Sequence, residues 1–300
     1  MRDRTELRDL VAAELSKRVD PRAAAVAEAI AARHDSSSRA VLFYGSCLRE
    51  RQLEGRMLDF YLIVSDYRTA YDRRWLAIAN QLIPPNVFYF EKDGVAAKYA
   101  VLSEADFARE CGESARTPSV FARFSQPSRL VWAADEGARN RVISSVARAA
   151  PALLGLTRPT LSDDEAANPL DLWKKAFRLT YAAELRAERD SRPEMLIDSD
   201  PNRYRRFAKA AGFPDHRSFT EAQRRTSEHA WRHFQRRGKR ASLLRLIKAS
   251  FTFAGGAEYI AWKINRHAGT RIELKPWQRR HPLLAGISLL PRLLKCGAIR

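Results

Sequence analysis

Two short apolar runs carry the residues best suited to chemistry. The first, Ala40-Val41-Leu42-Phe43-Tyr44, ends in Gly45-Ser46. After twelve intervening residues comes a single carboxylate, Asp59, near the start of the second run, Met57-Leu58-Asp59-Phe60-Tyr61-Leu62-Ile63-Val64. A glycine at a strand end lets backbone N–H groups approach a phosphate chain, because no Cβ holds the ligand away. A carboxylate at the start of the neighbouring strand suits Mg²⁺ shared with the same phosphates. Phosphate cradle, carboxylate and metal are the minimal parts for moving a nucleotidyl group. A tight turn followed by an aspartate satisfied by nearby backbone would leave the same trace, and no Gly-Lys-Ser/Thr follows to make a P-loop.

Both runs are short, rich in β-branched and aromatic residues and bounded by Gly or charge, which predicts adjacent buried strands. Upstream, residues 5–33 read as two helices, the second opened by an Asp20 N-cap and Pro21. Tyr71, Trp75, Ile78 and Leu82 keep helical spacing, Asn86–Phe90 reads as a third strand, and Asp93-Gly94 is a hairpin turn into a fourth, Lys98–Leu102. Ser103 with Asp106 resembles a capping box. After Ala134 the pattern is almost wholly helical. Ser162 to Glu165 is another capping box, Trp173, Phe177 and Tyr181 share a face, Arg192-Pro193 and Asp198–Pro201 mark loops, one helix holds Trp231 and Phe234, and another runs from Ala241 to His267. The expected class is α/β: a mixed sheet with flanking helices (1–133), a mostly helical part (134–240) and a basic C-terminal segment (241–300).

With 300 residues and 45% apolar content, a substantial core is affordable only to a globular chain. Three scattered cysteines show neither metal spacing nor a disulfide framework and suit a reducing compartment. Met1–Glu6 carries acids and no apolar core, so no secretory signal is expected there, and no eighteen-residue apolar stretch exists to span a bilayer. The formal net charge is +18, and from Trp231 to Arg300 sixteen Lys or Arg face two acids. Such an excess calls for an anionic partner: nucleic acid, a membrane surface or an anionic substrate. Leu283–Leu290, flanked by Arg279, Arg280, Arg292 and Lys295, fits either an interfacial helix or a buried core helix.

Several segments in order resemble one family, the peripheral, mitochondrial-type (translocator-maintenance) phosphatidate cytidylyltransferases of the nucleotidyltransferase superfamily. Tyr44-Gly45-Ser46 with Met57–Phe60 is similar to its opening signature, and Asp93-Gly94 with Lys98–Ser103 to its Asp-Gly-(three residues)-Lys-Tyr-Gly-Val-(Ile/Val)-Ser segment. Ala122-Arg123-Phe124-Ser125-Gln126-Pro127 resembles its Gly-Arg-Leu-Gln-Lys-Pro. Leu179–Arg186 resembles its Leu-Ser-Tyr-x-Gly-Asp-x-Arg, and Ile247–Gly255 its Lys-Gly-x-x-Thr-Ala-Gly. Ala100, Ala183 and Glu184 depart from that pattern. The resemblance implies a nucleotidyltransferase core, a winged-helix-like helical domain and a membrane-associating tail. It also implies CTP, Mg²⁺ and phosphatidic acid as reactants, and a cytoplasmic protein lying peripherally on the inner face of a membrane.

On that reading Asp59 and Glu184 hold the metal, with Asp66 the weaker alternative to Glu184, because Tyr61 stands where many nucleotidyltransferases place a second acid. Lys98 and Arg123 contact phosphates, the latter through a planar fork. Gly45 and Ser46 cradle the triphosphate, Tyr181 lines the cytidine or lipid pocket, and Arg186 and Lys248 meet the lipid phosphate. A solvated edge lysine, a structural salt bridge and core aromatics are the competing readings of Lys98, Arg123 and Tyr181. Two other functions stay open: nucleotide transfer to RNA through the basic C-terminal region, and an inactive nucleotide- and membrane-binding module. Nucleic acid is the less favoured partner, since the tail mixes Arg with Leu, Ile and Trp.

Overall fold

The computed structural model describes residues 2–252 apart from 51, 52, 54, 184–191 and 215–217. Helices α1 (Arg2–Leu15) and α2 (Pro21–Ala32) lead into strand β1 (Ser38–Tyr44), short helix α3 (Ser46–Glu50) and β2 (Leu58–Val64). Helix α4 (Arg74–Leu82), the hairpin β3 (Asn86–Lys92) and β4 (Val95–Ser103), helices α5 (Glu104–Glu110) and α6 (Ser119–Phe124) and strand β5 (Ser128–Ala133) complete the sheet region. Regular structure beyond it, among the described residues, is helical: α7 (Glu136–Val146), α8 (Ala149–Thr157), α9 (Asp163–Ala167), α10 (Pro169–Tyr181), α11 (Arg192–Asp198), α12 (Pro201–Ala210) and α13 (Glu221–Thr252).

Local chemistry sets most boundaries. Asp20, Ser103, Asp135, Asn168 and Asp200 each accept a backbone N–H at a helix start, and Ser162 with Glu165 makes both bonds of a capping box. Asp93 and Gly94 both take positive φ, 51° and 74°, as a two-residue hairpin turn requires.

The sheet has the order β3-β4-β2-β1-β5, with β2 and β4 parallel and the other pairs antiparallel. It is the mixed α/β arrangement expected. One face, with Val41, Phe43, Phe60, Leu62 and Tyr99, packs on α2. The other, with Leu42, Tyr44, Tyr61 and Ile63, shares a continuous core with α1, α5–α8, α10 and α12, including Trp173, Phe177 and Tyr204. Alternation along each strand separates the two sets.

Some expectations are corrected. Strand β5 gave no clear signal in the sequence. Arg192-Pro193 opens α11 rather than a loop. The helices expected around Trp231 and from Ala241 are one, α13, which crosses the end of α10 where Gly238 has no side chain. A Cβ there would lie 2.4 Å from the Ala183 carbonyl oxygen. Residues 253–267 and Leu283–Leu290 lie outside the described residues, and none of the described helices is long and apolar enough to cross a membrane.

Candidate active site

Strand register places the candidate residues in one row across the sheet. Ser128 of β5 pairs with Tyr44, Tyr44 with Asp59, Asp59 with Lys98, and Lys98 with Tyr89 of β3. Residues paired in this way project from the same face. The row lies where β1 ends and β2 begins, the place the Gly45-Ser46 turn marks in the sequence.

Asp59 and Lys98 are in contact, Nζ to Oδ1 at 3.1 Å, with the carboxylate about one-fifth exposed and the ammonium more open. Gly45, at φ +95°, lies against the same carboxylate; a Cβ on it would be 2.6 Å from Asp59 Oδ2. Backbone conformation and close approach both require glycine. Cys47, in the first turn of α3, is buried and donates to the Met57 carbonyl at 3.4 Å, bracing the turn against the start of β2. Burial, helped by the negative charge of Asp59, raises its thiol pKa.

Arg123, on α6, donates to the Tyr44 hydroxyl at 3.2 Å, and its guanidinium sits 5.0 Å from the centre of that ring. Burial pushes the Tyr44 phenol well up, against the opposing pull of Arg123, so it stays protonated. Gln126, one turn further on, accepts from Arg49 of α3 at 3.4 Å. Neither Tyr44 nor Arg49 was singled out from the sequence. The signal for Tyr44 was its place just before Gly45, on the strand antiparallel to Asp59's.

Tyr61 shares the face of Asp59 but is buried, with its ring 5.3 Å from those of Tyr44 and Phe124. The position of a second acid is therefore core. Asp66 is engaged locally. Its carboxylate caps its own turn, accepting the N–H groups of Arg68 at 2.7 Å and Thr69 at 3.1 Å and the Thr69 hydroxyl, and these bonds lower its pKa. Glu184 and Arg186 lie outside the described residues. Tyr181 closes α10 half-buried against the main core. It is near enough to Tyr204 to act on that phenol, which burial pushes up to about 12.

Lys248 is not brought to this end of the sheet. It is buried and donates to the Ile83 carbonyl and, at 2.9 Å, to that of Pro85. The lipid-phosphate role expected of it is replaced by a clamp on a turn in which two successive prolines lack N–H groups. Burial and then the nearby Arg245 pull its pKa down to about 7, while the two carbonyls favour the ammonium.

The residues present fit a Mg²⁺ ion in a limited way. No group of three or more His, Cys, Asp or Glu side chains is placed to hold a metal among the described residues. Mg²⁺, however, is commonly held by one or two carboxylates together with substrate phosphates and water, a donor set Asp59 can join. A surface cavity of about 490 Å³ lies elsewhere, between α5 and α7. There Arg141 pairs with Glu104 at 2.8 Å and Arg148 donates to the Ala108 carbonyl.

No family model matches the chain, and no curated protein matches it. Among solved structures it is similar to a nucleotidyltransferase-like protein from Exiguobacterium sibiricum 255-15, at 9% identity over 92% of each chain with a TM-score of 0.30. That correspondence is too loose to bear on the reading of the site.

Proposed function

We propose that the chain is a nucleotidyltransferase that moves CMP from CTP to the phosphate of phosphatidic acid, giving CDP-diacylglycerol and pyrophosphate. The observation that carries the proposal is the juxtaposition of Gly45, Asp59, Lys98, Tyr44 and Arg123 at one end of the sheet. A glycine turn packed on a lone carboxylate, with two cations beside it, suits a polyphosphate better than a neutral ligand.

In the reaction an acceptor phosphate oxygen attacks the α-phosphorus of CTP, and the bond to the bridging α–β oxygen breaks as pyrophosphate leaves. The acceptor is a phosphomonoester with a second pKa of about 6, so it is largely ionised at neutral pH and needs no general base. The demand on the protein is electrostatic, because two anions must approach and the leaving charge must be neutralised. Lys98 is open enough to exchange Asp59 for a phosphate oxygen, and Arg123, held on Tyr44, brings a second positive charge to this end of the sheet. Gly45 keeps the turn flush against Asp59. Asp59, with Glu184 as a proposed further ligand, would hold Mg²⁺, which when bound supplies positive charge to the phosphates.

Labelled CTP, phosphatidic acid vesicles and Mg²⁺, followed by lipid chromatography, test this directly. Label should move to lipid, and Asp59→Asn should abolish the transfer. Label on RNA instead would retain the transfer chemistry and overturn the lipid acceptor; no label on either would end the proposal.

A further inference from the structure

Helix α4 wears its apolar side outward. Trp75, Ile78 and Leu82, at i, i+3 and i+7, are 44%, 57% and 73% exposed. Helical spacing of this kind ordinarily marks the side that faces a core. Here Ala77 and Asn80 are the buried residues of the helix. The inward side is fixed by hydrogen bonds: Asn80 Nδ2 donates to the Val101 carbonyl at 3.0 Å, its Oδ1 accepts from the Asn86 N–H, and Asn86 Nδ2 donates to the Leu76 carbonyl at 2.9 Å. Turning the helix to bury Trp75 and Ile78 would break all three, so the exposure is built into the fold.

The C-terminal half of α13 is clamped to the end of this helix. Arg245 donates to the Pro84 carbonyl at 2.7 Å, and Lys248 holds Ile83 and Pro85. Just before that clamp, Leu243 and Leu244 are 51% and 46% exposed. Cations flank both apolar stretches. Arg68 and Arg73 ahead of α4 and Arg74 at its first position are exposed, with Asp66 and Asp72 as the neighbouring acids. On α13, Arg232, Arg236, Arg237, Lys239 and Arg240 are exposed with no acid among residues 231–252.

We infer that α4 and the adjoining turn of α13 form a docking surface for an anionic lipid bilayer. Aromatic and aliphatic side chains rimmed by arginine are the chemistry of the membrane interface: the apolar groups enter the acyl boundary while the cations meet headgroups. The charge decides between occupants. A second copy of the chain would bring one cationic rim against another. Residues 253–300 carry nine Lys or Arg against two acids and share the rim's sign. The inference goes beyond the reading of the Asp59 site, and binding measured without nucleotide lets either fail alone.

The test is flotation of the full chain with phosphatidylcholine vesicles with and without phosphatidylglycerol. The chain should float with the anionic vesicles and stay behind with the neutral ones. Trp75→Ser/Ile78→Ser/Leu82→Ser should weaken binding by about tenfold or more, with the melting temperature preserved because all three positions are exposed. Arg73→Glu/Arg74→Glu should weaken it and flatten its dependence on salt. Should the triple variant fail to fold, Trp75→Phe decides: brominated lipid should quench the wild type and spare most of that increment in the variant. Unchanged flotation of a folded triple variant overturns the inference. So does quenching identical in wild type and Trp75→Phe, which would assign docking to another part of the chain. A fall from dimer to monomer in the triple variant, with vesicle binding intact, would overturn it in favour of a second copy.

Discussion

Gly45 and Gly94 form a matched pair for testing the site. Both have positive φ, +95° and +74°, so alanine at either incurs a backbone cost of ~1–2 kcal/mol. At Gly94 that is the whole effect, since nothing lies within 4 Å of an added Cβ. At Gly45 the new methyl meets Asp59 Oδ2 at 2.6 Å, about 0.8 Å inside ordinary contact at 3.4 Å. Asp59 cannot retreat freely, because Lys98 holds its other oxygen. Gly45→Ala should therefore shift the carboxylate by most of an ångström, and misplacement of that order costs up to about a hundredfold in rate. Gly94→Ala should melt a few degrees low, at roughly 2–4 °C per kcal/mol for a chain of this size, with turnover per folded molecule unchanged. Gly45→Ala should melt at least as low and lose about ten- to a hundredfold in CMP transfer beyond Gly94→Ala. Equal turnover in the two variants would refute the claim that Gly45 positions Asp59.

Asp59→Asn should remove transfer while shifting the melting temperature little, since a partly exposed ion pair contributes only about 0–1 kcal/mol; thermal melts beside the lipid assay check both. Arg203, buried, pairs with Glu14 at 2.8 Å, donates to the Ser125 carbonyl at 3.0 Å and lies 4.2 Å from the centre of the Phe207 ring. Arg203→Met should cost about 3–5 kcal/mol by stranding Glu14, read from the urea midpoint. His34 donates from Nδ1 to the Ala70 carbonyl at 2.9 Å, its neutral ring accepts at Nε2 from the Tyr99 hydroxyl at 3.2 Å, and burial lowers its pKa below 6.5. The unfolded chain then binds the proton first on acidification. The stability contribution is complete above pH 6.5 and falls as pH drops through the lower folded value. His34→Gln should flatten that part of the pH–stability profile.

Elements were more legible in the sequence than the contacts between them. Caps at Asp20, Ser103 and Ser162 and the Asp93-Gly94 turn are local chemistry, and each appears where its residues predict. The contact of Asp59 with Lys98 is not local: it needs β4 to return parallel to β2 with the β3 hairpin strand outside it. The orientation of α4 was hidden for a different reason. Trp75, Ile78 and Leu82 gave the period, but the inward side is set by Asn80 and Asn86, whose side chains carry the buried hydrogen bonds and which no apolar pattern marks. Lys248 misled similarly, since a lysine near the C-terminus reads as a solvated cation unless the carbonyls of Ile83 and Pro85 are known to lie beside it.

Tyr61 ties the geometry to the proposed choice of acceptor. An enzyme that must deprotonate a hydroxyl gains from a second carboxylate, which brings metal charge and basicity to the nucleophile. Here that position is filled by a ring packed between Tyr44 and Phe124, so a second acid at this point would enter the core without partners. The same packing seats Tyr44, whose hydroxyl in turn steadies Arg123. A tyrosine here therefore leaves Asp59 without a second acid beside it on the strand and keeps Arg123 close by through Tyr44. For the proposed reaction, such a site would be poorly equipped to activate a neutral hydroxyl and better suited to an acceptor that arrives already charged, as a phosphomonoester does.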